Sequence, residues 1–155
     1  MSPSEHEYTQ PVGLDVGTSR IVVARAGDKK YQYEAQLNAF ITLPYSKLAE
    51  SLLEREGVFY QAQGSDLVVA GNDAQRFAEI FHVETRRPML NGILNPNEPH
   101  SLAVVQRIMA KLVGKAAVEG QKIFFSVPAP IANRDEGHAF HEASIRQIQI
   151  GRAHV

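Results

Sequence analysis

The stretch Gly13-Leu-Asp-Val-Gly-Thr-Ser-Arg20 constrains this chain more than any other, because apolar residues flank a turn that carries one carboxylate, one glycine and two hydroxyls. Val12 and Leu14 lead in and Ile21-Val-Val-Ala24 leads out, a pattern that predicts strand, tight turn, strand. Gly17 is free to take a positive φ and, lacking a Cβ, lets backbone N–H groups approach a bulky anion. Successive turn amides then form a concave nest for phosphate oxygens, with Thr18 and Ser19 adding hydroxyl donors. Asp15 ends the first strand, where it would repel bound phosphates unless a divalent cation intervened; it is read as holding Mg2+ through the ion's water shell. An ordinary hairpin carries the same residue types, and the spacing alone does not separate the two readings.

Beyond the hairpin the pattern is mixed α/β. A third strand is expected within 31–43, closed by Pro44. Ser46 is placed to cap a helix through Arg55, with Leu48, Leu52 and Leu53 on one face and Gly57 as the stop. Val58-Phe-Tyr60 and Leu67-Val-Val-Ala70 read as strands joined by a turn at Gly64-Ser-Asp66. Asn72 or Asp73 is the expected cap of a helix containing Phe77, Ile80 and Phe81. The segment from Pro88 to Pro99 reads as an ordered loop, since Met89, Leu90, Ile93 and Leu94 need burial. Leu102, Val105, Ile108, Met109 and Leu112 recur at helical spacing up to Gly114.

Ile123-Phe-Phe-Ser-Val127 is a nearly continuous apolar run, as expected of a central strand covered on both faces. Pro128 and Pro130 stop it. Asn133 and Glu136 fit a capping box, which puts Asp135 and Glu136 in the first turn of a helix at the carboxyl end of that strand, where α/β sheets commonly bind ligands. Both acids equally favour the helix macrodipole without any ligand. His138 and His141, three apart beside Glu142, are more simply solvated helix residues than a metal pair. Arg86-Arg87 reads as a structural, salt-bridging pair in preference to a subunit-contact patch.

The order of residues in the opening loop resembles the first phosphate loop of the actin-like ATPase superfamily, which includes actin, sugar kinases, heat-shock chaperones and bacterial filament proteins. Three further segments resemble the bacterial cell-shape actin family MreB, in the same order. Asp66-Leu-Val-Val-Ala-Gly-Asn-Asp-Ala-Gln75 is similar to that family's "VGEEAKEM" passage, and Arg86-Arg-Pro-Met-Leu-Asn-Gly-Ile-Leu94 to its "RPLKDGVI". Lys122-Ile-Phe-Phe-Ser-Val-Pro128 and the expected helix after it resemble "VVVGVPSGITEVERRA". The pattern is nearest to MreB-type proteins, although the helix and extra strand after Pro44 are longer than expected for them.

The resemblance implies an α/β fold: the first lobe of an actin-like (ribonuclease H-like) ATPase, with a mixed sheet and flanking helices over 12–148, incomplete, behind a polar tail at 1–11. It implies a full-length protein that binds and hydrolyses Mg-ATP and self-associates into filaments. In that role Asp15 serves Mg2+, Gly17, Thr18 and Ser19 the phosphates, and Asp135 or Glu136 the attacking water. A sugar or small-acid kinase, or a chaperone-type ATPase, is the alternative within the same superfamily. The chain lacks the superfamily's second phosphate loop and adenosine-binding glycines, so the fragment alone is expected to be inactive.

Composition narrows the partners. A net charge of −1 gives no concentrated basic surface, so direct nucleic-acid binding is not expected. Zero cysteines rule out a disulfide framework and a thiolate metal site. No apolar run reaches membrane-spanning length, so no membrane insertion and a cytoplasmic location are expected. Ile150-Gly-Arg-Ala-His-Val155 matches the translation of a common sequencing-library adapter, and Gln149 as CAG supplies its first two bases. Residues 149–155 are therefore read as an artefact, and the chain as a fragment of a longer product.

Overall fold

The computed structural model describes residues 10–116, 120–126 and 141–147. Strands β1 (Val12–Val16) and β2 (Arg20–Ala26) form the expected antiparallel hairpin. β3 (Tyr31–Leu37) extends it on one side, and β9 (Ile123–Ser126) pairs parallel to β1 on the other, giving the order β3-β2-β1-β9. Alternation sends Val12, Leu14, Val16, Ile21 and Val23 to one buried face. That face meets Val104, Val105, Ile108, Met109 and Leu112 of helix α3 (Ser101–Val113), together with Ile145 from helical residues 141–147. Each such aliphatic side chain stabilises the fold by about 1.5–3 kcal/mol on full burial. Arg25 of β2 donates to the carbonyls of Leu112 and Val113, satisfying acceptors that the end of α3 cannot use internally.

A second, antiparallel sheet has the order β4-β6-β5, built from β4 (Phe40–Pro44), β6 (Asp66–Ala70) and β5 (Tyr60–Gln63). Helices α1 (Lys47–Arg55) and α2 (Asn72–Phe81) cover one face of it, burying Leu53, Ala74 and Phe77 against Ile41, Leu43, Leu67 and Val69. Phe40 and Val68 point the opposite way, into the core beneath β1 and β2. The apolar run of β6 thus follows from a strand with a core on each side. Ser46 caps α1 by accepting from the Ala49 N–H at 3.1 Å.

Several expectations need correction. The span 31–43 holds two strands in two different sheets: the Asn38 N–H donates to the Ser19 carbonyl at 2.9 Å, in line with the β2–β3 register, and from Phe40 onward the chain pairs with β6 instead. Neither Asn72 nor Asp73 caps α2: Gly71 does, at φ 81°, while the Asn72 side chain accepts from Leu37 N–H at 2.9 Å. Residues 88–99 include a tight hairpin, β7 (Met89–Leu90) and β8 (Ile93–Leu94), turned by Asn91 and Gly92 at φ 52° and 82°. Met89 and Leu94 are buried in it, but Leu90 is exposed. Leu48 is also exposed, the buried stripe of α1 being Ala49 and Leu53. Among the described residues β9 is an edge strand rather than a central one, and Phe124 is 63% exposed.

Candidate functional site

The β1–β2 turn is held from behind by neighbours distant in sequence. Gly17 N–H donates to Arg20 O at 3.0 Å, and a Cβ on Gly17 would sit 2.8 Å from that oxygen. Its φ is not positive, so glycine is required here by close backbone approach and not by a left-handed conformation, a correction to the expectation. The buried Asn38 amide donates to Gly17 O at 2.9 Å, and Arg87 Nη1 reaches Ser19 O at 3.2 Å and Asn38 O at 3.3 Å. Thr18 Oγ1 accepts from Gly92 N–H at 2.9 Å. These contacts consume acceptors. The N–H groups of Thr18 and Ser19 take no partner among the described residues, and the Thr18 hydroxyl keeps its own hydrogen for donation.

Asp15 is exposed at the end of β1, and Ser126 Oγ donates to its Oδ1 at 2.6 Å. The parallel register places these two residues opposite each other. A bond to an ionised carboxylate is stronger than a neutral one, so Ser126 fixes the carboxylate while its other oxygen takes no partner among the described residues. No cluster of three or more histidine, cysteine or acidic side chains that could hold a metal occurs among the described residues. One carboxylate beside a phosphate nest still fits Mg2+, which takes one or two carboxylates together with phosphate oxygens and water. The turn's free donors and this hard oxygen ligand therefore suit a magnesium–phosphate group.

The structure brings together Asp15, Gly17, Thr18 and Ser19 at one end of the sheet. Asp135 and Glu136 lie outside the described residues, as do His138 and the tail 1–9. His141 is buried, so it is not the solvated residue expected, and Glu142 pairs with Arg146 at 2.9 Å. Arg86 is structural: it bonds Glu98 at 2.9 Å and Thr42 at 3.1 Å and lies over the Phe40 ring. Sequence reading missed Asn38, Arg87, Gly92 and Ser126 as supports of the turn. The Asn91-Gly92 dipeptide carried a hairpin signal that points to Gly92. Asn38 and Ser126 carry no local signal, because their partners lie 21 and 111 residues away.

A family model described as Volactin matches residues 11–152. No curated protein matches the chain. Among solved structures, a MamK double helical filament is similar with a TM-score of 0.59 and 18% identity, over 93% of this chain and 38% of that one. A non-polymerising MamK mutant bound to AMPPNP gives a TM-score of 0.57 and 18% identity, over 95% of this chain and 40% of that one. The fold is that of an actin-like first lobe, and the chain spans about two fifths of the length of these structures.

Proposed function

The chain belongs to the Volactin family and has an actin-like first-lobe fold, and from that premise we propose that it supplies the phosphate- and magnesium-binding half of a nucleotide site in an actin-like filament protein. The observation that carries this reading is the pairing of two unspent turn amides, at Thr18 and Ser19, with the Ser126-anchored carboxylate of Asp15. Backbone donors recognise phosphate without regard to what it is attached to, and the carboxylate makes that recognition depend on a divalent ion. The likeness to a MamK filament supports self-association of the full-length protein, and the AMPPNP-bound relative supports ATP as the nucleotide.

In this reading Asn38, Arg87 and Gly92 hold the turn rigid, so its donors are pre-arranged for a phosphate. Magnesium, when bound, spreads the negative charge of the phosphate oxygens. Asp135 or Glu136 is the acceptor that orients the attacking water, and MreB-type proteins provide the nearest sequence pattern for that role. The test is titration of ATP and AMPPNP into the full-length protein with and without Mg2+. Asp15→Ala is expected to weaken magnesium-dependent binding about 10–100-fold, the range seen when support of a metal site is removed. Binding that ignores both Mg2+ and Asp15→Ala would overturn the proposal.

A further inference from the structure

Away from the β1–β2 turn, a shallow cleft lies between α3 and the start of α2, open to solvent and enclosing only ≈ 10 Å³ at its floor, lined by Gln36, Phe59, Gly71, Arg107 and Lys111 among others. Apart from Gln36 Oε1, its side-chain polar groups are donors. Gln36 is 6% exposed, and its Oε1 is taken by the Asn72 N–H at 2.9 Å, which leaves its Nε2 with no partner among the described residues. Arg107 makes no ion pair or hydrogen bond among the described residues, and its Nη1 is shut away from water without an acceptor. Burial lowers the Arg107 pKa, with no carboxylate acting against it. Lys111, one turn further along the same face of α3, is 3.6 Å from Asp73, the nearby acid.

A buried donor left without an acceptor bears the full cost of its desolvation, and a desolvated guanidinium without a counter-ion adds to that. Native structures carry few such groups, and each calls for a physical reason such as an ion or ligand. We propose that this cleft binds a phosphoryl group. A guanidinium fork, an ammonium and an amide N–H2 converge from two elements, which suits an anion with three oxygens better than a two-oxygen carboxylate. The first turn of α2 adds the positive end of a helix dipole. Phe59 is 61% exposed at the rim and offers a ring face to whatever carries the phosphoryl group.

The cleft shares no residue with the β1–β2 turn, and chelating all divalent metal keeps binding at the two apart. Inorganic phosphate, phenyl phosphate and acetate are titrated into the 155-residue chain in EDTA, with calorimetry and the thermal unfolding midpoint as readouts. Phosphate is expected to bind and raise the midpoint, phenyl phosphate to bind several-fold tighter through Phe59, and acetate to do neither. Arg107→Met, which keeps the apolar stem, is expected to weaken phosphate about tenfold without lowering the midpoint of the free protein. Lys111→Gln is expected to weaken phosphate to a lesser extent. The proposal fails if phosphate gives no response, if acetate matches it, if binding survives both substitutions, or if Arg107→Met lowers the free protein's midpoint. The last result would show the guanidinium to be structural.

Discussion

The two sheets of this molecule solve the same burial problem differently. The β4-β6-β5 sheet carries its own cover: α1 and α2 enclose Leu53, Leu67, Val69 and Phe77, and its other face supplies Phe40 and Val68 to the neighbouring core. The β3-β2-β1-β9 sheet is covered on one face only, among the described residues. On its other face the register aligns Phe124, Gly13, Ala24 and Tyr33 in one row across all four strands, with both aromatics more than half exposed. The contrast teaches that local amphipathicity suffices where a helix follows its strand directly. The turn end of the other sheet is instead held by long-range bonds from Asn38, Arg87 and Ser126.

Four substitutions and a titration probe that contrast, in decreasing order of effect. Phe77→Ala removes the central ring of the self-covered sheet and is expected to cost about 3–5 kcal/mol, read from the denaturant midpoint at constant slope. Asn38→Ala deletes the buried donor to Gly17 O and is expected to cost about 1–3 kcal/mol. It should also speed amide hydrogen exchange in the turn while leaving β4-β6-β5 protected. Protection lost equally in both sheets would show that Asn38 is a general core residue. Tyr33→Ser and Phe124→Ser on the open face are each expected to change stability by no more than about 0.5 kcal/mol. A loss comparable with that of Phe77→Ala would mean that the open face is covered.

The smallest effect is a titration. Tyr60 donates to Glu54 at 3.1 Å and Glu50 at 3.2 Å, and partial burial followed by these two carboxylates pushes its pKa from 10.0 up to about 12. The folded value is raised, so its contribution is fully present below pH 10 and is lost as pH rises through about 12. Phenolate absorbance should therefore show one tyrosine ionising late, and Glu54→Gln with Glu50→Gln should bring it back toward the ordinary value. Tyr45, which donates to Glu50 at 2.9 Å, should shift in the same direction.

Much of the architecture was legible in the chain because the relevant forces are local. The β1–β2 hairpin, the Ser46 cap and the stripe of α3 each follow from residues within a few positions of one another. The cap of α2 was misread for the same reason. Asn72 has the right chemistry for a cap, but its side chain finds Leu37 N–H on β3 instead, and Gly71 suits the position by its positive φ and by the close approach of Gln36 Oε1, which leaves no room for a Cβ. The apolar run of β9 reads as a doubly covered strand, whereas among the described residues its position is set by pairing with β1 alone.

For the candidate site the division is sharper. The sequence by itself determined the ingredients of the turn, Asp15, Gly17, Thr18 and Ser19, because a hairpin fixes their order and spacing without help. Only the tertiary structure decided which of their hydrogen-bonding groups are already spent. Ser126 arrives across a parallel pairing, Gly92 from a distant hairpin and Asn38 from the break between two sheets. Hydrogen bonds between residues 21 to 111 positions apart leave no periodicity in a sequence, so the groups left free for a ligand became visible only once the chain was folded.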